Sequence, residues 1–265
     1  MPRKILMGNY TTVTELPGQG ASSEQLARLY HRYKFASQFC KGKDVFEVAC
    51  GAGIGLGYLA RKARRVVGGD IDENNLKFAQ EHYKGRYKIQ LLLVDAHELP
   101  FTDNSFDVLI LYEAIYYLAH PEKFIREAQR VLRKGGNLLI CTANKNWSGF
   151  NPSSYSYKYF SVHELFGLLK ENNFADIALY GDCPVVTKTF KNRIISWIKR
   201  IAVALNIIPK TMKGKEILKK IFYGKLIPLP PEISDGMVEY SPPVSIPYDS
   251  SSFGYKVLFA RGYKK

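Results

Sequence analysis

The stretch Asp44-Val45-Phe46-Glu47-Val48-Ala49-Cys50-Gly51-Ala52-Gly53-Ile54-Gly55 decides the fold. It opens as an apolar run of strand length, and the glycines that follow let the backbone turn sharply beside a ligand. A helix is predicted from Leu56, so the free amides of its first turn face the space above the loop. A strand, a glycine loop and a helix in this order favour a site for a nucleotide-like cofactor or a carboxylate.

Strands and helices alternate along the rest of the chain. Alternation of this kind produces a parallel sheet with right-handed crossovers. We therefore predict an α/β fold with a doubly wound, mostly parallel seven-stranded sheet and a turn at 134–136. Besides the strand at 44–50, the predicted strands are 66–70, 89–95, 106–112, 137–142, 177–181 and 253–263, and the helices are 22–39, 56–63, 73–83, 122–132 and 162–172.

Acidic residues end two of these strands. Asp70 lies 19 residues after Gly51, where a doubly wound fold places an acid against the hydroxyls of a ribose. Asp95 closes the next strand. NAD enzymes share this geometry, but the Gly-x-Gly-x-x-Gly/Ala fingerprint fits only from Gly55, inside the predicted helix. A nicotinamide oxidoreductase is therefore disfavoured.

The formal charge of +14 is concentrated in one segment. Residues 188–225 carry eleven Lys or Arg and one acid, with apolar residues at helical spacing over 194–208 and a second basic helix predicted over 215–223. Three interpretations of this basic segment stay open. It forms a solvated amphipathic cap, contacts an anionic membrane peripherally, or binds a phosphorylated acceptor. Nucleic acid is not a predicted partner, because no aromatic stacking platform interleaves with the basic residues.

Besides the glycine loop, residues 24–176 contain a set of short motifs. They are Arg32-Tyr33, Lys41-Gly42-Lys43, Asp70-Ile71-Asp72, Asp95-Ala96-His97, Leu99-Pro100-Phe101, Ser105-Phe106-Asp107, Arg130-Val131-Leu132 and Lys134-Gly135-Gly136. With these motifs, roughly three-fifths of the chain resembles the class I S-adenosylmethionine-dependent methyltransferases, in particular the methyltransferase-domain group that includes quinone and glycan-cluster methyltransferases. The resemblance implies S-adenosylmethionine as the cofactor.

The resemblance also implies which residues hold the cofactor. Glu47 and the glycines would hold its methionine end, Asp70 its ribose and Asp95 its adenine. The chain departs from the family at Glu47, where Asp is common, and at 116–117, where an acid and a histidine are often found. The full set of predicted cofactor contacts is Tyr33, Glu47, Gly51, Gly53, Asp70, Ile71, Asp95, Ala96, His97 and Tyr112.

Three residues are candidates for the chemistry of the acceptor. Methyl transfer from a sulfonium is an in-line displacement, so the enzyme mainly aligns the acceptor with the methyl group and excludes water. A hydroxyl acceptor also benefits from a residue that takes its proton. Glu113 directly follows the fourth strand, although a carboxylate there could instead satisfy backbone amides at a helix start. Tyr117 is expected to line the acceptor pocket, and His163 begins a helix beside a Tyr-rich loop.

The predicted activity is methylation of an oxygen on a small-molecule or glycan acceptor. The cofactor domain would comprise 1–182 and 252–265, with 183–251 as a basic helical insertion and Pro-rich loop that caps the acceptor. The alternative is a noncatalytic protein of the same fold that binds a membrane or a partner through the basic segment. The four scattered cysteines predict no metal site, and the lack of a signal-peptide pattern predicts a cytoplasmic protein.

Overall fold

The computed structural model describes residues 10–185 and 226–265, so the basic segment 188–225 and its two predicted helices lie outside the described residues. Its centre is an eight-stranded sheet, and a separate two-stranded sheet pairs β1 (Gly20–Ala21) with β8 (Ile227–Pro228). The strands of the main sheet are β2 (Asp44–Val48), β3 (Arg65–Asp70), β4 (Ile89–Leu93), β5 (Phe106–Tyr112), β6 (Leu132–Ala143), β7 (Phe174–Pro184), β9 (Val244–Ser245) and β10 (Tyr255–Lys264).

The strand order of the main sheet is β4-β3-β2-β5-β6-β10-β7-β9. Strands β2 to β6 pair in parallel, while β10 runs antiparallel between β6 and β7. The chain winds outward from β2 to β4 and then returns to place β5 beside β2. Ligands of doubly wound sheets bind at such a reversal, outside the carboxyl ends of the strands. The predicted fold is confirmed, with β9 as an eighth strand that the sequence did not indicate.

In the described part of the chain, five α-helices cover the two faces of the sheet. Ser22 and Ser161 each begin a helix with a capping box, in which a Gln or Glu three residues later bonds back to the cap. Asp72 caps its helix by accepting from Asn74 N. No helix among the described residues is long and apolar enough to span a bilayer. The helices are α1 (Ser23–Ala36), α2 (Leu56–Ala60), α3 (Glu73–His82), α4 (Pro121–Val131) and α5 (Val162–Glu171).

The glycines predicted as a turn at 134–136 lie within the bounds of β6 (Leu132–Ala143), which follows α4 directly. Residues 133–136 have no partner on β5, and regular pairing with β5 begins at Asn137. Gly135 has a φ of +83°, and the pairing of β5 with β6 shifts register between Phe106 and Val108. The glycines thus produce an irregularity within a strand, because a left-handed residue bulges a ladder without reversing the chain.

Residues 226–240, which we call the strap, lie across α1 and α2. Leu229 and Ile233 are buried, and Ile233 N donates to Ile54 O at 3.1 Å. Asp235 accepts from Tyr58 Oη at 2.7 Å and from Lys34 Nζ at 2.7 Å. Part of the Pro-rich passage is therefore an ordered element whose apolar side chains belong to the core beneath α1.

Candidate active site

A cavity of about 390 Å³ opens at the carboxyl ends of β2, β3 and β5, beneath α1. This volume lies within the range of small-molecule and cofactor sites. The cavity is at the reversal of strand order, where the fold favours ligand binding. Predicted residues that line it are Tyr33, Gly51, Asp70, Ile71, Asp95, Ala96, His97, Tyr112, Glu113 and Tyr117.

Three predicted residues do not line this cavity. Glu47 lies behind it, only 1% exposed, and reaches it through a hydrogen bond to Tyr33. The Gly53 carbonyl points the other way and accepts from Tyr83 Oη at 2.7 Å. His163 is on α5, where its ring lies 6.4 Å from that of Tyr248. The structure therefore does not bring His163 to the other candidates.

The glycine loop forms the floor of the cavity. Gly51 has a φ of +57°, a left-handed conformation that glycine adopts without strain, and its N–H donates to Asp70 Oδ2 at 2.8 Å. Gly55 lies directly under the ring of Tyr33, where a Cβ would be 1.9 Å from Tyr33 Cε1. Tyr33 can therefore reach Glu47 only because position 55 has no side chain.

Gly55→Ala is expected to displace the Tyr33 ring and to break its hydrogen bond to Glu47. The free energy of unfolding should fall by about 1 to 3 kcal/mol, the usual cost of overpacking. Gly254→Ala is the matched control, because a Cβ there meets nothing within 4 Å. Urea denaturation of both variants checks this, and equal losses of stability in the two would contradict the proposed packing.

Asp70 is held at the end of β3 by backbone amides. Its Oδ1 accepts from Asp72 N at 2.9 Å and its Oδ2 from Gly51 N at 2.8 Å. Burial raises the pKa of Asp70, while these two hydrogen bonds and one from the Asn75 side chain lower it. An ionised carboxylate offers about four acceptor positions, so these bonds do not use all of them. Asp70 can therefore still accept hydrogen bonds from a ligand in the cavity.

Asp95 and His97 form a second fixed pair at the cavity wall. Asp95 Oδ1 lies 2.6 Å from His97 Nδ1 and accepts from His97 N at 2.8 Å. On the other side of the ring, His120 N donates to His97 Nε2 at 3.3 Å. Both ring nitrogens of His97 are thus engaged by the protein. His97 is therefore a residue of the cavity wall and is not available as a free base.

Glu47 and Tyr33 form a buried pair beneath α1. Tyr33 Oη donates to Glu47 Oε1 at 2.6 Å. Burial raises the pKa of Glu47 from its ordinary value of 4.5 to about 7, despite the opposing effects of this bond and of Arg32. The carboxyl group therefore gains or loses its proton near neutral pH.

The pKa of Glu47 predicts a pH-dependent stability for the ligand-free protein. Between pH 4.5 and 7 the native state binds more protons at this group than the unfolded state does, so the stability contribution declines as pH rises through that window. Relative to Glu47→Gln, the wild type should lose about 3 kcal/mol at most. Urea denaturation of both proteins at pH 5 and pH 8 checks this, and a difference independent of pH would contradict it.

Three buried polar atoms of residues that line the cavity have no hydrogen-bond partner among the described residues. They are Arg32 Nε, Asn75 Oδ1 and Tyr112 Oη, and Glu47 Oε2 behind the cavity wall is a fourth. Buried polar groups in native proteins are nearly always paired. A polar ligand or water in the cavity would give the three lining atoms their partners.

Sequence reasoning missed the segment that closes the cavity on one side. Tyr10 and Glu15 line the cavity, and Tyr10 N donates to Asp72 Oδ2 at 2.8 Å. Glu15 forms an ion pair with the guanidinium of the buried Arg32. The residues before Ser22 show no helical or strand periodicity, so only the partners on α1 and α3 reveal their position.

Glu113 lies at the far end of the cavity, directly after β5. Its φ of +51° is left-handed, which costs of the order of 1 to 3 kcal/mol in a non-glycine residue and is typical of functional sites. Glu113 Oε2 accepts from Tyr116 Oη at 2.9 Å, and Arg28 lies 3.7 Å from Oε1. Tyr117 lies beside it. The carboxylate is thus directed toward side chains of the cavity and not toward helix amides.

Comparisons with known proteins identify a methyltransferase domain in this part of the chain. Residues 46–140 match the family described as Methyltransferase domain. A Mycobacterium tuberculosis protein named as a probable S-adenosylmethionine-dependent methyltransferase is 32% identical over 56% of this chain and 55% of its own length. The phthiotriol/phenolphthiotriol dimycocerosates methyltransferase 1 of Mycobacterium ulcerans is 37% identical over 42% of this chain and 41% of its own. The chain thus spans about half the length of these relatives.

A solved structure shares the fold at low sequence identity. Phosphoethanolamine N-methyltransferase 2 of Haemonchus contortus, in complex with S-adenosyl-L-methionine, has a TM-score of 0.55 and 18% identity, over 88% of this chain and 52% of its own. The fold is the class I, Rossmann-like α/β fold of these methyltransferases. Residues 46–140 match a methyltransferase domain, and the relatives named as S-adenosylmethionine-dependent methyltransferases support S-adenosylmethionine as its cofactor.

Proposed function

We propose that this chain transfers a methyl group from S-adenosylmethionine to an oxygen of a small-molecule or glycan acceptor. The observation that carries the proposal is the donor set of one cavity, which has acids at the ends of β3 and β5 and unpaired buried polar atoms between them. The described residues fit the cofactor, because its amino acid end carries one carboxylate and one ammonium group. When bound, the cofactor supplies a methyl group on a sulfonium.

The residues of the cavity divide the binding among them. The Asp70 carboxylate accepts from the two ribose hydroxyls, and the wall formed by Asp95 and His97 faces the adenine. Arg32 Nε donates to the carboxylate of the amino acid end. Glu47 lies behind the cavity wall and would support this end through its hydrogen bond to Tyr33. The assignment to Arg32 Nε gives a partner to a buried polar atom that has none among the described residues.

Glu113 and its neighbours act on the acceptor. The Glu113 carboxylate takes the proton of the acceptor hydroxyl, while Tyr116 and Arg28 hold that carboxylate in place. Tyr117 excludes water from the reacting oxygen. The Mycobacterium ulcerans relative is named for triol acceptors, which supports oxygen as the acceptor atom. A phosphorylated acceptor, or membrane contact through 188–225, would involve residues outside the described part of the chain.

Calorimetry followed by turnover assays tests the proposal. The purified protein should bind one S-adenosylmethionine per chain and should not bind NAD. It should then form S-adenosylhomocysteine only when an acceptor with a free hydroxyl is added from a panel of phenols, long-chain alcohols and glycans. If the protein binds the cofactor and methylates amines but not hydroxyl acceptors, the acceptor atom is nitrogen and not oxygen. Absence of cofactor binding would contradict the proposal as a whole.

A further inference from the structure

Three potential metal ligands converge outside the cavity, where α1 meets the end of β7. His31 comes from α1, and Asp182 and Cys183 come from β7. Their ligand atoms all lie within 4.8 Å of one another, and His31 and Asp182 are buried. His31 Nδ1 lies 3.3 Å from Asp182 Oδ2, and Cys183 Sγ lies 3.6 Å from the same oxygen. We call these residues the α1–β7 cluster.

The distances in the α1–β7 cluster differ from those of simple hydrogen bonds. A charged hydrogen bond between His and Asp measures about 2.7 to 2.9 Å, but His31 Nδ1 is 3.4 and 3.3 Å from the two oxygens of Asp182. Tetrahedral zinc, with bonds of about 2.1 Å to N and O and 2.3 Å to S, places N and O about 3.4 Å apart and S and O about 3.6 Å apart. The distances from Asp182 Oδ2 to His31 Nδ1 and to Cys183 Sγ match two edges of this arrangement, and the third pair of atoms lies within 4.8 Å.

The other ring nitrogen of His31 supports the same interpretation. Nε2 lies 3.1 Å from the carbonyl oxygen of Glu239, which is an acceptor, and at a longer 3.4 Å from Ser241 N. A hydrogen on Nε2 satisfies the closer partner, so Nδ1 would be the ring atom offered to a metal ion beside Asp182. A histidine that donates its second N–H to a backbone carbonyl is the usual outer shell of a metal site.

We propose that the α1–β7 cluster binds a Zn²⁺ ion through His31 Nδ1, an Asp182 carboxylate oxygen and Cys183 Sγ. One thiolate and one carboxylate balance the charge of the ion, and a mixed N, O and S set selects zinc over Mg²⁺ or Ca²⁺. The ion would join α1 to β7, and through Glu239 to the strap. Because α1 also carries Arg28 and Arg32, the site would fix the helix that covers the cavity.

Metal titration tests the proposed site without an assay of activity. Chelator-stripped protein should bind one Zn²⁺ per chain in competition with a chromophoric chelator. The affinity should fall at least tenfold in Cys183→Ser and in His31→Asn. Cys40→Ser is the matched control, because Cys40 is also buried near the end of α1 but only donates to Ala36 O, a bond that serine can keep.

Cobalt substitution gives a readout that does not depend on the variants folding. Co²⁺ bound to the wild type should show the visible bands of a tetrahedral site and a near-ultraviolet thiolate charge-transfer band. Both the thiolate band and the tight zinc binding should persist in Cys40→Ser. A wild-type cobalt spectrum without the thiolate band, or zinc binding no tighter than in the His31→Asn variant, would overturn the proposal.

Discussion

Asp70→Ala is expected to lower the affinity for S-adenosylmethionine roughly 100-fold or more. Each hydrogen bond from a ribose hydroxyl to a charged acceptor is worth about 1.5 to 3 kcal/mol, and 1.4 kcal/mol corresponds to a factor of ten. The substitution removes the acceptor of both hydroxyls at once. Calorimetric titration of the wild type and the variant measures the loss directly.

Two further variants separate this loss from damage to the fold. Asp70→Asn keeps one oxygen, which can still accept from Gly51 N, but it loses the charge and one acceptor, so an intermediate loss of affinity is expected. Asp103→Asn is the neutral control, because Asp103 is exposed and pairs only with Arg130 away from the cavity. An affinity of Asp70→Ala within threefold of the wild type would contradict the assignment of the ribose.

Glu113→Gln is expected to lower turnover by about 10² to 10⁴ while the affinity for S-adenosylmethionine stays within about threefold. A positioned proton acceptor contributes a factor of this size. Glutamine keeps the size of the side chain and can still accept from Tyr116 Oη, but it cannot take a proton. Initial rates of S-adenosylhomocysteine formation with the acceptor from the screen provide the measurement.

Controls for Glu113 come from its neighbour and from the surface. Tyr116→Phe removes the hydroxyl that holds the carboxylate, so a smaller loss of turnover is expected. Glu81→Gln changes an exposed glutamate on α3 and should leave turnover unchanged. If Glu113→Gln kept more than a tenth of the wild-type rate, Glu113 would not be the proton acceptor.

The cofactor end of the site was predictable because it depends on local sequence. Asp70, Asp95 and Glu113 each follow an apolar run of strand length, and the carboxyl ends of parallel strands meet at one edge of the sheet. The glycines at 51–55 fix the floor of the cavity for the same reason. The place of these residues at the ends of predicted strands was therefore enough to predict that they meet in the folded protein.

The remaining parts depend on contacts that are distant in the sequence. His163 begins a helix near the Tyr-rich loop, but that loop carries α5 away from the cavity toward Tyr248. Tyr10 and Glu15 are placed by Asp72 and Arg32, which lie 62 and 17 residues further along the chain. The α1–β7 cluster joins residues 151 positions apart, so spacing of cysteines and histidines could not reveal it.

A crystal structure of the complex with S-adenosylhomocysteine tests the central claim most directly. The ribose hydroxyls should lie within about 3.2 Å of the Asp70 carboxylate, a hydrogen-bond distance. The adenine should lie against Asp95 and His97, and the amino acid end beside Arg32 and Tyr33, with the sulfur directed toward Glu113. A ligand bound elsewhere, or one whose ribose makes no contact with Asp70, would contradict the account.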